Sequence, residues 1–188
     1  MRIIAGRLKG RRLAGPDGPG LRPTADSLRE RLFNILGDSA AGVRVMDAFA
    51  GTGAVGLEAI SRGAAHVTFV ERDRRAIKLI NENIRRCGVE QACTVVGRDF
   101  FDLGPRNPGT SEPRNLGINP SAFDLVFLDP PYDEKDLQAV LRAAVPLASA
   151  GGVIVLEHSR RRVSPEGAAP MRRTRLVTAG DSALSFYQ

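Results

Sequence analysis

The sequence has little cysteine, few aromatic residues and no tryptophan. Its two cysteines, Cys87 and Cys93, form no CxxC pair and have no paired histidines nearby. A metal site and a disulfide framework are therefore not expected, and the composition fits a reducing cytoplasm. With 5% aromatics, a base-stacking platform is not indicated. No apolar run approaches the roughly 20 residues that span a bilayer, and MRIIAGRLKGRRL lacks the apolar core of a secretory signal.

Basic residues, in contrast, are abundant and unevenly distributed. The 188 residues carry a net charge of +6. Residues 1–31 hold eight Arg or Lys against three acids, and residues 160–175 hold six Arg against one acid. The rest of the chain is therefore mildly acidic. Two basic segments around an acidic body favour a polyanionic partner such as a nucleic acid, with a merely solvated basic surface as the alternative.

The hydrophobic pattern alternates between strands and helices from about residue 43 onwards. The strands are almost continuously apolar, which is typical of a parallel sheet covered by helices on both faces. The last 15 residues predict two antiparallel strands around a Gly-Asp turn at the sheet edge. The predicted strands cover 43–49, 66–72, 93–97, 123–129 and 151–158, and the predicted helices cover 55–63, 74–88 and 136–148.

The segment before this alternation reads as an extension of the main fold. Residues 1–13 resemble a short basic strand or arm, and 22–37 predict a helix with Thr24 as its N-cap. We expect its apolar face to leave three arginines available to solvent or ligand: Arg22, Arg29 and Arg31. We therefore divide the chain into an extension, 1–37, and an α/β domain, 38–188. Residues 103–121 predict a loop from their Pro, Gly and Asn content.

The stretch DAFAGTGAVG, Asp47 to Gly56, follows the first strand and opens a helix. Its G-x-G-x-x-G pattern allows a tight turn and a close approach of the backbone to a ligand. Glu71 ends the second strand, where a carboxylate accepts hydrogen bonds from ribose hydroxyls. Asp99, after the third strand, is placed to meet an adenine amino group. This arrangement serves both NAD and S-adenosylmethionine.

The stretch FDLVFLDPPYD ends the fourth strand on Asp129, Pro130, Pro131 and Tyr132. Ligands of open parallel sheets bind outside the carboxyl ends of the strands, so this motif is expected beside the glycine loop. Asp129 and the Pro130 carbonyl would accept the two hydrogens of an exocyclic amine, and Tyr132 would stack on the base. Hydride transfer needs no such motif, and the chain has no room for a second catalytic domain. Both points favour S-adenosylmethionine.

These motifs, together with RPTADSLRERLFNIL and FVERD, resemble the RsmD family of bacterial methyltransferases that modify guanine N2 in 16S rRNA. The resemblance covers 1–80 and 123–160 well and is weakest over 103–121, which looks like an insertion. It implies a Rossmann-like class I methyltransferase fold with a seven-stranded, mostly parallel sheet, an antiparallel C-terminal edge strand and helices on both faces. It also implies S-adenosylmethionine as the methyl donor and the assembled small ribosomal subunit as the substrate.

The resemblance also assigns roles to individual residues. The target-amine motif is Asp129, Pro130, Pro131 and Tyr132. The RNA-facing residues are Arg7, Lys9, Arg11, Arg12, Arg22 and Thr24. The cofactor residues are Asp47, Gly51, Gly53, Glu71 and Asp99, with their neighbours Ala48, Thr52, Arg72 and Phe100.

Several alternatives stay open at this point. The same motif would act on adenine N6 in DNA or RNA or on a protein glutamine, although the basic arm argues against glutamine. Other classes are an NAD(P)-dependent oxidoreductase and a non-catalytic RNA-binding assembly factor. The arginines within 160–175 flank an RNA path or form a solvated loop. His66 and His158 are read as structural or surface residues, and a monomer without a metal and without membrane contact is expected.

Overall fold

The computed structural model describes residues 1–15, 26–103, 119, 121–132 and 134–188. Over these residues the chain forms four α-helices and eight β-strands, with short 3-10 turns between them. The helices are α1 (Asp26–Leu36), α2 (Ala54–Ser61), α3 (Arg74–Cys87) and α4 (Leu137–Ala144). The strands are β1 (Arg44–Ala48), β2 (His66–Glu71), β3 (Cys93–Gly97), β4 (Phe123–Leu128), β5 (Ala148–Ser159), β6 (Gly167–Ala168), β7 (Met171–Ala179) and β8 (Ser182–Tyr187).

All eight strands belong to one sheet in the order β3-β2-β1-β4-β5-β8-β7-β6. The first five strands are mutually parallel, whereas β8 is antiparallel to β5 and to β7. The expected count of seven strands is therefore wrong by one. The additional strand, β6, is only two residues long and pairs antiparallel with β7. A period-two pattern cannot be recognised in so short a segment.

The two faces of the sheet carry separate cores, as expected for a doubly covered parallel sheet. On β1, Val45 joins one cluster of buried side chains and Met46 joins the other. Helices α1, α2 and α3 contribute to the cluster around Val45, and α4 contributes to the cluster around Met46. Because successive side chains of a strand point to opposite faces, the apolar strands supply both cores.

Helix boundaries follow local signals that the sequence contains. Helix α3 begins at its N-cap Asp73, whose carboxylate accepts the backbone N–H groups of Arg75 and Ala76, and it ends before Gly88 at φ 65°. Helix α4 is shorter than predicted because Pro146 lies in a 3-10 turn directly after it. Proline has no N–H to continue an α-helical ladder. Strand β5 then begins at Ala148, three residues before its predicted start.

The N-terminal arm folds back on itself and packs on the main body. Arg2 and Arg12 form an antiparallel bridge, which gives the arm a hairpin-like shape. Its apolar residues share the Val45 core with the buried residues of α1, which are Ile3, Leu8 and Leu13 from the arm and Leu28, Leu32 and Phe33 from the helix. The proposed N-cap Thr24 lies outside the described residues, as does Arg22.

Arg29 does not lie at the surface, as its position in the predicted helix suggested. It is fully buried and donates to the carbonyl oxygen of Arg2 at 2.8 Å and to the carboxylate of Asp26 at 2.9 Å. Arg31 is exposed but donates to the Thr178 carbonyl in β7 at 2.7 Å. Both arginines therefore tie α1 to other parts of the fold. Across the described part of the chain, none of the helices is long and apolar enough to cross a membrane.

Candidate active site

A cavity of about 310 Å³ opens at the carboxyl ends of the central parallel strands. Strand β1 lies between β2 and β4, and the chain leaves β1 towards β2 before it returns to β4 on the other side. Such a reversal opens a crevice between the loops that follow the strands. The cavity is lined by Asp47, Phe49, Ala50, Gly51, Thr52, Ala54, Val55, Val70, Glu71, Arg72, Arg98, Asp99, Phe100, Phe127, Asp129, Pro130, Pro131 and Tyr132.

The glycine loop makes a tight turn between β1 and α2. Gly51 and Gly53 have φ angles of 55° and 75°, a region that glycine enters at little cost. Gly56 serves packing, because a Cβ there would lie 2.4 Å from a ring carbon of Phe69 on β2. The loop thus brings the backbone to the cavity, and Gly56 lets α2 approach the sheet.

Asp47, at the end of β1, binds the residue that closes the glycine loop. It is buried, and its carboxylate accepts the Gly56 N–H at 2.8 Å. Burial, reinforced by the nearby charges of Asp129 and Glu71, raises the pKa of Asp47 to about 8 against the lowering effect of the Gly56 hydrogen bond. At neutral pH this carboxyl group is therefore mostly protonated, and it adds little negative charge to the cavity.

Glu71 connects the end of β2 to the glycine loop. One carboxylate oxygen accepts the Gly51 N–H at 2.9 Å, and the other accepts the backbone N–H groups of Arg72 and Asp73 at 2.8 Å. On the cavity wall, the Arg72 guanidinium forms an ion pair with Asp99 at 2.7 Å. The two acids predicted to contact a nucleoside therefore lie on the same wall and are held by defined partners.

An aromatic pair forms another part of the wall, made of the predicted Phe100 and of Phe49, which the sequence reasoning missed. Phe49 lies in the left-handed region at φ 61°, which is unusual for a residue with a side chain. Its ring packs against Phe100 with centroids 5.0 Å apart. The sequence signal was its place between Asp47 and Gly51. Ala50, Ala54, Val55, Val70, Arg98 and Phe127 also line the cavity and were not predicted.

The Asp-Pro-Pro-Tyr motif lies on the opposite side of the cavity. Strand β4 ends at Leu128, paired with Ala48 on β1 and Leu156 on β5, so Asp129 leaves the sheet at its centre. Pro130 is buried, Asp129 is partly buried, and Tyr132 is 54% exposed. The Tyr132 hydroxyl lies 3.3 Å from the Ser182 hydroxyl at the start of β8.

Most of the predicted cofactor and motif residues line this one cavity, and two do not. Ala48 packs inside the sheet in the core cluster of Met46. Gly53 starts α2, where a Cβ would come within 3.2 Å of Phe69. Both residues therefore pack beneath the glycine loop and do not face the cavity.

The four arm residues predicted to face RNA are exposed at the surface. The backbone of the arm is held on α2, since Arg7 donates its N–H to the Ser61 carbonyl at 2.8 Å. Ser61 ends α2, about 12 Å along the helix from the glycine loop, at 1.5 Å per residue. Arg11 lies on the α3 side and donates to the Arg86 carbonyl at 2.6 Å. The arm charges therefore lie near the end of α2 and on α3, and none of these four residues lines the cavity.

Both histidines lie outside the cavity. His66 begins β2 and lies 2.9 Å from the Thr94 hydroxyl. His158 is buried in β5, with its two ring nitrogens 2.9 Å from the Ser159 carbonyl and the Ser185 hydroxyl. Among the residues that the structure describes, no group of three or more His, Cys, Asp or Glu side chains is arranged to hold a metal ion.

Comparisons with known proteins cover the whole chain. The family model described as Conserved hypothetical protein 95 matches residues 1–188. The chain is 35% identical over 190 residues to "Putative rRNA methyltransferase YlbH" of Bacillus subtilis, covering 100% of this chain and 98% of that protein. It is 40% identical over 132 residues to Ribosomal RNA small subunit methyltransferase D of Escherichia coli. This second alignment covers 70% of this chain and 60%, less than two thirds, of the Escherichia coli protein.

The solved structures agree with the fold described above. The chain matches "Putative methyltransferase yhhF from Escherichia coli" with a TM-score of 0.80 and 31% sequence identity. The match covers 100% of this chain and 97% of that chain. The predicted Rossmann-like class I fold is therefore confirmed, with eight strands in place of seven.

Proposed function

Because the chain belongs to the RsmD family, we propose that it is an S-adenosylmethionine-dependent methyltransferase of ribosomal RNA. The finer proposal is that it methylates the N2 amine of a guanine in 16S rRNA of the small ribosomal subunit. The name of the Escherichia coli relative supports this substrate class. The observation that carries the proposal is that the glycine loop and the Asp-Pro-Pro-Tyr motif line the same cavity.

The chemistry of the cavity wall fits S-adenosylmethionine better than a dinucleotide. Three acidic side chains and the mostly protonated Asp47 line it beside two arginines, the acids being Glu71, Asp99 and Asp129 and the arginines Arg72 and Arg98. The Gly51 N–H, which a pyrophosphate would need, is already donated to Glu71. A sulfonium cofactor carries positive charge and no phosphate, so an acidic wall favours it.

The residues of this wall supply separate contacts for the cofactor. Glu71 would hold the ribose hydroxyls, Asp99 would accept from the adenine amino group, and the Phe49–Phe100 pair would offer an apolar surface to the adenine ring. When bound, S-adenosylmethionine supplies an electrophilic methyl group. The task of the chain's own residues is to orient an amine towards it and to exclude water.

The Asp-Pro-Pro-Tyr motif supplies the orientation of the amine. The Asp129 carboxylate and the Pro130 carbonyl would each accept one amine hydrogen, so that the nitrogen lone pair is directed into the cavity. The fixed φ of the prolines keeps this carbonyl in place. The exposed ring of Tyr132 would stack on a guanine turned out of its helix. As positive charge develops on the nitrogen, the two acceptors stabilise it.

The experiment that tests the proposal is methyl transfer from labelled S-adenosylmethionine. Undermethylated small ribosomal subunits, naked ribosomal RNA and duplex DNA are compared as substrates, with Asp129→Ala as the control enzyme. We expect label on guanine N2 in the subunits and its loss in the variant, while cofactor affinity stays within a few-fold of wild type.

Each other outcome leads to a different conclusion. Label in DNA would keep the chemistry and overturn the RNA substrate, whereas label on adenine N6 would overturn the base. If S-adenosylmethionine binds but no substrate is labelled, a non-catalytic assembly factor becomes the better explanation. Binding of a nicotinamide cofactor in place of S-adenosylmethionine would overturn the methyltransferase proposal as a whole.

A further inference from the structure

Arg162 is directed at the chain segment that follows the Asp-Pro-Pro-Tyr motif. It lies in the connection between β5 and β6, and its side chain is partly buried. Its guanidinium donates to the carbonyl oxygen of Glu134 and, at 2.9 Å, to that of Lys135. These carbonyls come two and three residues after Tyr132. One side chain thus binds two consecutive backbone carbonyls just after the motif.

The connection that carries Arg162 is itself fixed to the sheet. The Arg162 N–H donates to the Ser159 carbonyl, and the Arg160 N–H donates to the Asp181 carbonyl, both at 2.9 Å. Ser182, the next residue after Asp181, meets the Tyr132 hydroxyl. The β5–β6 connection and the β7–β8 turn therefore hold the motif from the side opposite to the main cavity.

Arg162 also lines a small cavity together with the motif residues. This second cavity has a volume of about 10 Å³. The other wall residues are Asp129, Pro130, Pro131, Tyr132, Leu137, Glu157, His158 and Ser159. The four motif residues therefore line both this small space and the main cavity.

The motif needs such an anchor because its own backbone offers few hydrogen bonds. The pairing of β4 with its neighbours ends at Leu128, and neither proline has an N–H to donate. The turn after the motif is closed by the Glu134 N–H, which donates to the Pro131 carbonyl at 2.9 Å. Arg162 binds the carbonyl at the end of this same turn. A planar guanidinium suits two adjacent acceptors, whereas an ammonium acts as a point charge.

We propose that Arg162 is a positioning residue for the target amine. It acts by holding the Glu134 and Lys135 carbonyls, so that Asp129 and the Pro130 carbonyl keep their places beside the cofactor cavity. This inference rests on the proposed function. The neighbouring Arg160 and Arg161 are exposed, and neither side chain has such a partner among the described residues.

The test compares Arg162→Ala and Arg162→Lys with Arg161→Ala, a matched loss of charge from the adjacent position. For each variant, kcat and KM for undermethylated small subunits, the salt dependence of KM and the affinity for S-adenosylmethionine are measured. In Arg162→Ala we expect kcat to fall by about 10- to 100-fold, the scale of a 1 Å misplacement. KM, its salt dependence and cofactor affinity should stay within about twofold. Arg162→Lys should recover part of kcat, and Arg161→Ala should keep all of it.

Hydrogen exchange provides a readout that is independent of activity. The amides of residues 134–137 should exchange faster in Arg162→Ala than in wild type, with no change in Arg161→Ala. Unchanged exchange at these amides would overturn the proposal. So would a raised KM and a reduced salt dependence with normal kcat, because that pattern indicates a phosphate contact. If wild type methylates none of the substrates, the proposed function fails, and the exchange result alone then decides whether Arg162 anchors the motif.

Discussion

Asp47 combines burial with a place on the wall of the candidate active site. Its carboxyl group receives one hydrogen bond, from Gly56, and lies close enough to Asp129 and Glu71 to feel their charge. A buried carboxyl that keeps its proton at neutral pH can hold the glycine loop without the cost of burying a full charge. The protonation of this one residue therefore links the local structure of the loop to the stability of the whole domain.

The first prediction concerns the pH dependence of that stability. The pKa of Asp47 is about 8 in the folded chain, against 3.8 for an ordinary Asp. Between these values the folded state holds a proton that the unfolded state has released, so the free energy of unfolding decreases as pH rises. Asp47→Asn removes this dependence. From pH 5 to 7, without cofactor, the variant should gain on wild type by about 1 kcal/mol per pH unit.

Urea unfolding at a series of pH values measures this difference. Asp181→Asn, at an exposed position in the β7–β8 turn, is the control for the loss of one acidic side chain. Its curve should run parallel to that of wild type. If Asp47→Asn also runs parallel to wild type, Asp47 is ionised in the folded protein and burial does not raise its pKa.

At the same scale, most of the residues predicted from the sequence line one cavity, but the sequence did not predict all of the cavity wall. The glycine loop and Asp-Pro-Pro-Tyr were recognisable because they are local patterns with fixed spacing. Arg29 was wrongly predicted to be exposed, because helical periodicity does not show that the carbonyl of Arg2, distant in sequence, lies beside the helix and accepts its hydrogen bond. Phe49 was missed because its left-handed backbone and its contact with Phe100 arise only when β1 and the segment after β3 are brought together.

Among the elements, α2 contacts two functional segments, because it follows the glycine loop and also binds the N-terminal arm. Glu58 on α2 is fully buried, and its carboxylate accepts the backbone N–H groups of Ile4 at 2.8 Å and Ala5 at 3.0 Å. It also accepts from the Arg62 guanidinium at 2.8 Å, one turn along the helix. The arm is thus fixed to the helix that begins at the glycine loop.

The second prediction follows from this arrangement. Glu58→Ala leaves the backbone N–H groups of two partly buried residues, Ile4 and Ala5, and a partly buried guanidinium without their acceptor. The free energy of unfolding should fall by about 3–5 kcal/mol, the scale for breaking a buried pair. Glu58→Gln, which keeps one accepting oxygen, should lose less. Chemical denaturation measures the loss, and hydrogen exchange at Ile4 and Ala5 should accelerate.

Glu82→Ala is the matched control for Glu58→Ala. Glu82 also pairs with an arginine four residues later, Arg86, but both side chains are close to half exposed. Its removal should cost less than about 1 kcal/mol. Equal losses at the two positions would mean that Glu58 contributes only an ordinary helical ion pair and that the arm is held by its apolar contacts.

The elements themselves were largely predictable from the pattern of apolar residues. The five parallel strands and the helices α2 and α3 begin and end close to their predicted positions, with β5 three residues longer at its start. Strand β6 was not predictable, because Gly167 and Ala168 pair with β7 through backbone groups and their side chains carry no alternating pattern. The predicted N-cap at Thr24 and most of the predicted loop 103–121 lie outside the described residues and stay predictions.

At the scale of the whole molecule, charge separates into a basic exterior and an acidic cavity. The net charge is +6, yet the wall of the main cavity has three acids besides the mostly protonated Asp47, against two arginines. The exposed arm residues Arg7 and Lys9 lie near the far end of α2. Arg11 instead contacts α3, and Arg12 pairs with Arg2 in the bridge of the arm. A polyanion would therefore contact the outside of the domain while a small cation enters the cavity.

The last prediction tests this separation with two pairs of substitutions, Arg7→Gln with Lys9→Gln and Arg11→Gln with Arg12→Gln. Each pair should weaken binding of the RNA substrate and reduce the slope of log K against log salt by about one to two units, since each lost phosphate contact contributes about 0.7–0.9. Affinity for S-adenosylmethionine should not change. The control pair, Lys78→Gln with Arg142→Gln, removes the same charge from exposed positions on α3 and α4. A slope that is unchanged in both arm pairs would exclude the arm as the RNA contact. An equal reduction in the control pair would instead assign the effect to net charge, because only a local contact makes the slope depend on where the charges were removed.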